Sequence, residues 1–221
     1  MQIEGMKIAV FDMDGTLLDS MPSWRRMTYD YVLRQGIVPT AEEAAYLRTI
    51  SGMLVADYLT EHYGVPTDYE TLSHDSCAGM EPVYLAGVPL KPGARAYLEY
   101  LGTQCVCRSL ATATPARLAL LGLDGADLVR DLDRIWTTDA LGGWKGEPEF
   151  FQKLCRLAGC EPGEMVLFED SLYAIKTAAG MGVRCVGVRD STNTREREEM
   201  VRHCLCLIDS FQELMPPAEE K

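Results

Sequence analysis

The sequence predicts an α/β fold, a doubly wound parallel-sheet core with an α-helical cap inserted into it. Three observations lead to this prediction. A short apolar segment, residues 6–10, precedes a turn signal and is typical of a buried strand. Residues 20–88 carry only helical patterns, and from residue 90 onward strands and helices alternate. Such alternation indicates parallel strands with right-handed crossovers, a Rossmann-like core.

The predicted core consists of residues 1–19 and 88–215, the cap of residues 20–87, and a C-terminal tail of residues 216–221. In the cap, Ser20 would cap the first helix, with Pro22 in its first turn, where no N–H group is needed. Thr40 and Glu43 match a capping box that would begin a second helix.

The core elements after residue 90 follow from apolar runs and from the glycines and prolines between them. Strands are predicted at residues 105–112, 134–138, 165–169, 184–188 and 204–208. Helices are predicted at residues 94–101, 115–121, 147–158 and 171–179. Gly122, Gly159 and Gly180 are expected to end the last three of these helices.

Composition and charge exclude several classes of partner. The chain has 221 residues, 47% hydrophobic and 24% charged, which is ordinary for a globular protein. Its net charge of −12 disfavours nucleic acid and anionic membranes, because both are polyanions. An anionic substrate would therefore require a local positive patch or a metal ion. We see no membrane-spanning run and no signal peptide, so a cytoplasmic protein is expected.

Eight cysteines are present, but their spacing predicts neither disulfides nor a zinc site. Cys105/Cys107 and Cys204/Cys206 form Cys-x-Cys pairs on apparent strands, and no Cys-x-x-Cys pair occurs. Free cysteine behaves as a small apolar side chain, so reduced and mostly buried thiols are expected. The three histidines are scattered and none is assigned a catalytic role.

Two aspartates lie one residue apart at the end of the first strand, in Asp12-Met13-Asp14-Gly15-Thr16. Residues two apart on a strand point to the same side, so both carboxylates are expected at the strand's carboxyl end, where open α/β sheets bind ligands. Like charges this close require a cation or a shared proton. The motif indicates a Mg²⁺ site with carboxylate chemistry, and the alternative is an ordinary Asp-Gly turn.

A hydroxyl ends the second core strand, at Thr112. Together with neighbouring backbone N–H groups it is placed to hydrogen-bond a phosphoryl oxygen. Thr114-Pro115 then opens a helix, whose N-terminus favours an anion. The alternative is a plain strand-to-helix cap.

Lys145 follows Gly142-Gly143-Trp144 and precedes a helix that contains Pro148. A lysine in a glycine-rich turn can reach a crevice at the sheet edge and offset the charge of a nucleophile and a phosphate. The alternative is a solvated loop lysine.

Two further acids end an apolar strand, in Phe168-Glu169-Asp170-Ser171. Carboxylates at a strand end are candidate ligands for a hard cation. The alternative is that Asp170 or Ser171 caps the next helix, and the two roles are compatible.

These motifs, in this order, resemble the haloacid dehalogenase-like hydrolase superfamily over essentially the whole chain. The resemblance rests on Asp12-Met13-Asp14-Gly15-Thr16, Thr112, Lys145 and Glu169-Asp170. The most similar subgroup has a helical cap and includes phosphoglycolate phosphatase and β-phosphoglucomutase. The chain departs from the commonest pattern in Lys145-Gly146-Glu147-Pro148, where Lys-Pro-x-Pro is usual, and in Ala174, where some relatives carry another acid.

The resemblance implies a Mg²⁺-dependent phosphatase that acts on a small phosphorylated metabolite. Asp12 would attack phosphorus to give an aspartyl-phosphate, and Asp14 would act as general acid and then general base. Thr112 and Lys145 complete the implied catalytic set. Dehalogenases of this superfamily lack the second carboxylate, so Asp14 favours phosphate chemistry over carbon–halogen cleavage.

The resemblance also implies a ligand set for the metal. Asp12 and Asp170 would bind Mg²⁺ with Asp14, the last through its backbone carbonyl, and Glu169 would lie nearby, in contact directly or through water. The implied substrate contacts are Thr16, Thr112, Ala113, Lys145 and Arg25.

The cap would close over the site, exclude water and select the leaving group. Its candidate substrate-facing residues are Trp24, Arg25, Arg26, Arg48, Ser51 and Gly52, with packing or solvated surface as the alternative. Consecutive residues cannot share one helix face, so Trp24, Arg25 and Arg26 cannot all point inward. A phosphomutase that uses the same aspartyl-phosphate and a catalytically silent binding protein remain open as other functions. No oligomeric state is predicted.

Overall fold

A computed structural model of the chain describes residues 3–48, 50 and 52–216. The six strands are β1 (Ile8–Phe11), β2 (Cys107–Thr112), β3 (Arg134–Thr137), β4 (Met165–Glu169), β5 (Arg184–Val188) and β6 (Cys206–Ile208). They form one sheet in the order β3-β2-β1-β4-β5-β6, and each neighbouring pair is parallel. The predicted doubly wound parallel-sheet fold is confirmed.

The helices divide into two groups by position along the chain. Between β1 and β2 lie α1 (Met21–Arg34), α2 (Ala41–Leu47), α3 (Gly52–Tyr63) and α4 (Tyr69–Leu85), followed by α5 (Ala94–Thr103). The remaining helices are α6 (Ala116–Gly125), α7 (Thr138–Leu141), α8 (Pro148–Ala158), α9 (Leu172–Gly180) and α10 (Arg197–Met200). The crossovers between parallel strands therefore carry helices, as this fold requires.

The sheet separates two apolar layers. Ala9 and Phe11 of β1 belong to one layer, while Ile8 and Val10 belong to the other, because successive strand side chains point to opposite faces. The rings of Phe11 and Phe168 stack with centroids 4.5 Å apart across β1 and β4. Burial on both faces explains why these strands read as continuous apolar runs.

Helices α1 to α4 enclose an apolar cluster of their own. It contains the buried residues Tyr31, Val32, Ile37, Leu47, Ile50, Val55, Ala56, Leu59 and Leu72. A separate core of this kind is what an inserted cap needs for its own stability. The boundaries of cap and core domains stay a prediction.

The predicted end of α6 at Gly122 is wrong, because the helix continues to Gly125. A Cβ atom at residue 122 would lie 3.0 Å from Cδ1 of Tyr84 in α4. The glycine therefore serves close packing between α4 and α6 and does not end the helix. Gly159, in contrast, ends α8 in the left-handed conformation with φ +69°, as predicted.

Two predicted N-caps have different outcomes. The capping box at Thr40 is confirmed, with Thr40 N–H donating to Glu43 Oε2 at 2.7 Å and Glu43 N–H donating to Thr40 Oγ1 at 3.2 Å. Ser20 stands at the N-cap position of α1, and Pro22 lies in the first turn. However, the Ser20 hydroxyl makes no capping bond and donates to Asp14 Oδ1 at 2.6 Å instead.

The cysteine predictions are partly wrong. All eight cysteines are free, but only Cys155 and Cys185 are buried, and Cys105 is exposed. Cys105 lies before β2 in a turn with φ +56°, and Cys204 precedes β6, so neither Cys-x-Cys pair lies within one strand.

Several boundaries differ by a few residues from those expected. β1 begins at Ile8 and includes Phe11, and β3 ends at Thr137 because Thr138 begins the four-residue helix α7. Helices α7 and α10 were not predicted, since one helical turn is too short to show a 3.6-residue period. Within the described ranges, no helix has both the length and the apolarity that crossing a bilayer requires.

Candidate active site

The carboxyl ends of the three adjacent strands β2, β1 and β4 form one edge of the sheet. Asp12 directly follows β1, Thr112 ends β2, and Glu169 and Asp170 lie at the end of β4. A backbone hydrogen bond aligns the ends of β1 and β4, because Asp12 N–H donates to Phe168 O at 2.9 Å. Residues far apart in the sequence therefore meet at one place.

Three carboxylates form a buried cluster at this edge. One oxygen of each of Asp12, Glu169 and Asp170 lies within 4.8 Å of the others. The three residues are 5%, 0% and 4% exposed. This acidic trio is the arrangement in which hard divalent cations bind oxygen ligands.

Lys145 is the cation that faces the trio. Its Nζ donates to Asp12 Oδ1 at 2.5 Å, to Glu169 Oε2 at 2.7 Å and to Ala111 O at 3.4 Å. The residue is 2% exposed, so it is not a solvated loop lysine. The turn before it passes through Gly142 with φ +68° and Gly143 with φ +110°, a path that favours glycine.

The charges of the trio are not balanced by Lys145 alone. Burial, followed by repulsion from Glu169, raises the pKa of Asp12 to about 8, although Lys145 opposes the shift. Burial and the same repulsion raise the pKa of Asp170 well above its usual range. Burial alone would lower the pKa of Lys145, but Asp12 and Glu169 raise it well above the ordinary value.

This imbalance is the test of whether a divalent cation fits. If all three carboxylates were ionised, Lys145 alone would leave two negative charges in a buried site, which is why the pKa values of Asp12 and Asp170 are raised. A divalent cation would neutralise that excess, and the trio offers only oxygen ligands, which Mg²⁺ prefers. The chemistry of the donor set therefore fits such an ion.

Asp14 has a separate environment. Its Oδ1 accepts hydrogen bonds from Ser20 Oγ at 2.6 Å and from the phenolic hydroxyl of Tyr84, and its Oδ2 accepts one from Thr114 Oγ1 at 2.7 Å. The carboxylate does not belong to the acidic trio. Asp14 was expected to reach the metal only through its backbone carbonyl, and that expectation stays a prediction. Three hydroxyl groups thus fix the orientation of the Asp14 carboxylate.

A family model for haloacid dehalogenase-like hydrolases matches residues 9–188, which include all of these residues. The chain belongs to the haloacid dehalogenase-like hydrolase family. The predicted resemblance is confirmed.

Curated relatives of this hydrolase are phosphatases. Validoxylamine A 7'-phosphate phosphatase from Streptomyces hygroscopicus subsp. limoneus is 26% identical, and the match covers 92% of this chain and 93% of that protein. A phosphorylated carbohydrates phosphatase from Thermotoga maritima is 29% identical, and the match covers 85% of this chain and 88% of that protein. CbbY from Rhodobacter sphaeroides, whose structure was solved with phosphate, shares the fold with a TM-score of 0.76 at 21% identity. The match covers 95% of this chain and 96% of CbbY.

Other predicted contacts of this hydrolase lie around the same edge. Thr112 is buried, and its Oγ1 accepts the Thr114 N–H at 3.1 Å. Thr16 is fully buried, and its hydroxyl has no hydrogen-bond partner among the described residues. Ala113 is exposed in the turn after β2, where its carbonyl oxygen accepts from Thr138 Oγ1 at 3.4 Å.

One N–H group at the start of α6, where an anion was expected, is already bonded within the protein. The first helical N–H group, that of Ala116, donates to Asp139 Oδ2 at 3.1 Å. A carboxylate of the protein therefore occupies this donor.

The consecutive cap residues Trp24 and Arg25 have different surroundings, as helix geometry requires. Trp24 packs against the core, and its Nε1 donates to the Tyr84 hydroxyl at 3.2 Å. Its expected place in the substrate pocket stays a prediction. Arg25 and Arg48 line a cavity at the cap. Ser51, expected beside Arg48, lies outside the described residues.

Sequence reasoning missed the site contacts of four residues, among them Ser20, which was expected only as a helix cap and donates to Asp14. Thr114 and Tyr84 donate to Asp14, and Tyr84 lies 70 residues from it, so no local pattern could show that contact. Gly15 has φ +84°, and a Cβ atom there would collide with Asp170 Oδ2. The Asp-Gly pair was visible, but its reason, close approach to Asp170, was not.

The loop after β5 supports Asp170 from behind. Asn193 Nδ2 donates to Asp170 O and to Val188 O, both at 3.0 Å. Asp190 N–H donates to Asn193 Oδ1 at 3.1 Å, and Lys91 Nζ binds Asp190 Oδ2 at 2.6 Å. The metal-ligand candidate is thus held by a buried polar network.

Proposed function

We propose that this protein hydrolyses small phosphate monoesters through a covalent aspartyl-phosphate on Asp12, with Mg²⁺ as cofactor. One observation carries the proposal: Asp12 lies buried at the end of β1 among Lys145, Glu169 and Asp170. This carboxylate is not a surface group. Its contacts with one ammonium and two further carboxylates also distinguish it from a member of a simple structural ion pair. Curated relatives of the chain that are named phosphatases support the enzyme class of phosphoric monoester hydrolase.

The reaction has two steps. An Asp12 carboxylate oxygen attacks phosphorus, the bond from phosphorus to the ester oxygen breaks, and Asp14 gives a proton to the departing alkoxide. Water then attacks the aspartyl-phosphate, Asp14 takes its proton, and the Asp12 carboxylate and inorganic phosphate are released. The three hydroxyls that bind Asp14 keep it aimed at the leaving oxygen and away from the metal ligands.

Lys145 has two tasks in this proposal. Its ammonium orients Asp12 through a hydrogen bond of 2.5 Å, and it offsets negative charge on the transferring phosphoryl group. Thr112, Thr16 and the turn at Ala113 are placed to bind phosphoryl oxygens. The buried, unpartnered hydroxyl of Thr16 supports this role, because such a group gains most from an added acceptor.

Asp12, Asp170 and the backbone carbonyl of Asp14 would hold the Mg²⁺, with Glu169 beside them. When bound, the ion supplies positive charge that allows an anionic nucleophile to approach an anionic phosphate. The raised pKa values of Asp12 and Asp170 support this assignment, since they are caused first by burial and then by repulsion from Glu169, which Lys145 offsets only in part.

Phosphorylated carbohydrates are the proposed substrate class. The names of two relatives, a validoxylamine phosphate phosphatase and a phosphorylated carbohydrates phosphatase, support it. Among the described residues, no feature favours the phosphomutase over the phosphatase.

The test is release of inorganic phosphate from p-nitrophenyl phosphate and a panel of sugar phosphates, with and without Mg²⁺. Asp12→Asn should lower turnover by about 10⁴-fold or more while the circular dichroism spectrum stays unchanged. The exposed Asp124→Asn on α6 is the matched control and should keep full activity.

Three outcomes would overturn the proposal. Substantial activity in Asp12→Asn would remove the covalent mechanism. Isomerisation of a hexose 1-phosphate with a bisphosphate activator, without release of phosphate, would make the protein a mutase. No turnover of any compound would make it a silent binding protein.

A further inference from the structure

Helix α8 ends in a Schellman motif, in which two backbone hydrogen bonds close the last turn. Cys160 N–H donates to Cys155 O at 3.1 Å, and inside this bond Gly159 N–H donates to Arg156 O at 3.3 Å. Gly159 has φ +69° and ψ 40°, the left-handed conformation on which the motif depends. Both residues joined by the outer bond are cysteines.

The motif brings the side chains of these two cysteines together. In a Schellman turn the two residues of the outer bond commonly contact each other through their side chains. The two thiols hydrogen-bond each other, with Cys155 as the donor and Cys160 as the acceptor. A disulfide requires backbones this close, with Cα atoms roughly 4.4–6.8 Å apart. A bridge between the two therefore needs no movement of a neighbouring strand or helix.

Both cysteines line a cavity of about 690 Å³. The cavity lies at the amino ends of β1 and β4, since its lining includes Lys7, directly before β1, and Glu164, directly before β4. Asp12, in contrast, follows the carboxyl end of β1. The thiol pair is therefore separate from the candidate active site, and the cavity is large enough to admit a small molecule.

The two thiols differ in exposure and in how readily they ionise. Cys155 is 7% exposed, and burial followed by the proximity of Cys160 raises its pKa to about 11. Cys160 is half-buried, and although burial raises its pKa too, the hydrogen bond from Cys155 and the charge of Lys7 oppose that shift. Cys160 is thus the thiol that a reagent in the cavity meets first and the better source of a thiolate.

We propose that Cys155 and Cys160 are a reversible redox pair, which a low-molecular-weight disulfide converts to an intramolecular disulfide. The pair is a modification site at the opposite end of the sheet from the acidic trio. This inference does not rest on the proposed phosphatase function.

The exchange has two steps. The Cys160 thiolate attacks one sulfur of the small disulfide, the S–S bond of that molecule breaks, and the departing thiolate takes up the proton that Cys160 lost. Cys155 then gives up its proton and attacks the Cys160 sulfur of the mixed disulfide, which displaces the second small thiol with that proton. The two protein thiols lose two electrons in total, and the small disulfide is reduced to two thiols.

Cys185 and Cys204 provide a comparison within the same chain. Cys204 lies close enough to contribute to the raised pKa of Cys185. However, Cys185 is 1% exposed, and its Sγ donates to Ile175 O at 3.8 Å and to Val183 O at 3.6 Å. A buried thiol whose proton is engaged in this way is a poor nucleophile, so this second pair should stay reduced.

The test treats the folded protein with glutathione disulfide, alkylates the remaining thiols in denaturant and digests the protein with trypsin. Cleavage after Lys153, Arg156 and Lys176 separates the two cysteines, so a disulfide joins peptide 154–156 to peptide 157–176. We expect the joined peptides to predominate, with a mass about 2 Da below the sum of the two thiol peptides, because two hydrogen atoms are lost. Dithiothreitol should separate them again.

Single variants test the order of attack. Cys155→Ser removes the second thiol, so glutathione should stay on Cys160 as a mixed disulfide. Cys160→Ser removes the attacking thiol, and glutathione on Cys155 should be about tenfold or more below that level. Cys204→Ser is the matched control, since Cys204 is also half-buried but does not line the cavity. It should form the wild-type disulfide.

The wild-type digest decides the outcome even if a variant fails to fold. Absence of the joined peptides after treatment, or a disulfide between Cys185 and Cys204 in their place, would overturn the inference. Equal amounts of glutathione on the remaining thiol of Cys155→Ser and of Cys160→Ser would overturn it as well, because the two thiols would then have no distinct roles.

Discussion

The phenolic hydroxyl of Tyr84, in the last helix of the cap, donates a hydrogen bond to Oδ1 of Asp14 at the end of β1. Tyr84 is fully buried, and burial followed by the charge of Asp14 raises the pKa of its phenol far above the usual range. The phenol therefore stays protonated and can serve Asp14 only as a donor. The orientation of the proposed acid–base residue is thus tied to the position of α4.

Tyr84→Phe should lower kcat by about tenfold, the cost of losing one hydrogen bond to a charged group. Ser20 and Thr114 still donate to Asp14, which is why a complete loss is not expected. Steady-state kinetics with a monoester measures the effect. Tyr31→Phe, buried in the cap cluster, is the control and should keep kcat. An unchanged kcat in Tyr84→Phe would show that Asp14 needs no help from the cap.

Mg²⁺ should stabilise the protein against heat. At a Mg²⁺ concentration about 100 times the dissociation constant, the gain in unfolding free energy is ~2.7 kcal/mol. Asp170→Asn should lose most of this gain. Without metal it should be at least as stable as the wild type, because the raised pKa of Asp170 indicates unfavourable burial and repulsion.

Thermal unfolding with Mg²⁺ and with EDTA provides the measurement. Asp209→Asn, whose side chain binds Arg189 at 2.6 Å on the surface, is the control and should respond as the wild type does. An equal response to Mg²⁺ in Asp170→Asn would place the metal elsewhere.

Gly15→Ala and Gly36→Ala form a matched pair. Both glycines have positive φ, +84° and +78°, so alanine at either should cost about 1–2 kcal/mol of stability. Only at Gly15 would the added Cβ atom collide with Asp170, since nothing lies within 4 Å at Gly36. Urea unfolding should show a larger loss for Gly15→Ala.

Activity should distinguish the two glycine variants more clearly than stability does. Gly15→Ala displaces a proposed metal ligand, so both phosphate release and the thermal response to Mg²⁺ should fall. Gly36→Ala should keep both. A fully active Gly15→Ala protein would mean that Asp170 can move without consequence.

Lys91→Met should cost about 3–5 kcal/mol in urea unfolding at neutral pH, because it leaves the buried carboxylate of Asp190 unpaired. Burial would raise the pKa of Asp190, but hydrogen bonds from Lys91 and Thr192 lower it below the usual range. A group with a lowered pKa stabilises the fold above its unfolded pKa and loses this effect as the pH falls through the folded value. The difference between variant and wild type should therefore shrink below about pH 4.

Lys176→Met is the control for that experiment. Lys176 binds Glu199 at 2.7 Å, but both side chains are close to half exposed. An exposed pair of this kind contributes about 0–1 kcal/mol. Equal losses in the two variants would mean that burial of the Lys91 pair adds nothing.

Short-range patterns determined much of this fold from the sequence. β4 and β5 were predicted with the bounds that the structure has, since short, mostly apolar runs between turn signals need no distant information. The capping box at Thr40 was equally readable, because both of its partners lie within four residues. The motif around Asp12 and the acids at 169–170 could be placed at strand ends for the same reason, and the family followed from their order.

Tertiary structure decided what lies between those elements. Lys145 is buried against Asp12, 133 residues away, and Tyr84 contacts Asp14, 70 residues away. The charge of Asp170 also affects the pKa of Arg25, although 145 residues separate them. Gly122 misled the sequence prediction for the same reason, since the ring of Tyr84 that needs the space comes from another helix. Periodicity and turn chemistry act within a few residues. Contacts across the chain depend on how whole helices and strands pack, and the polar partners of a side chain are chosen only there.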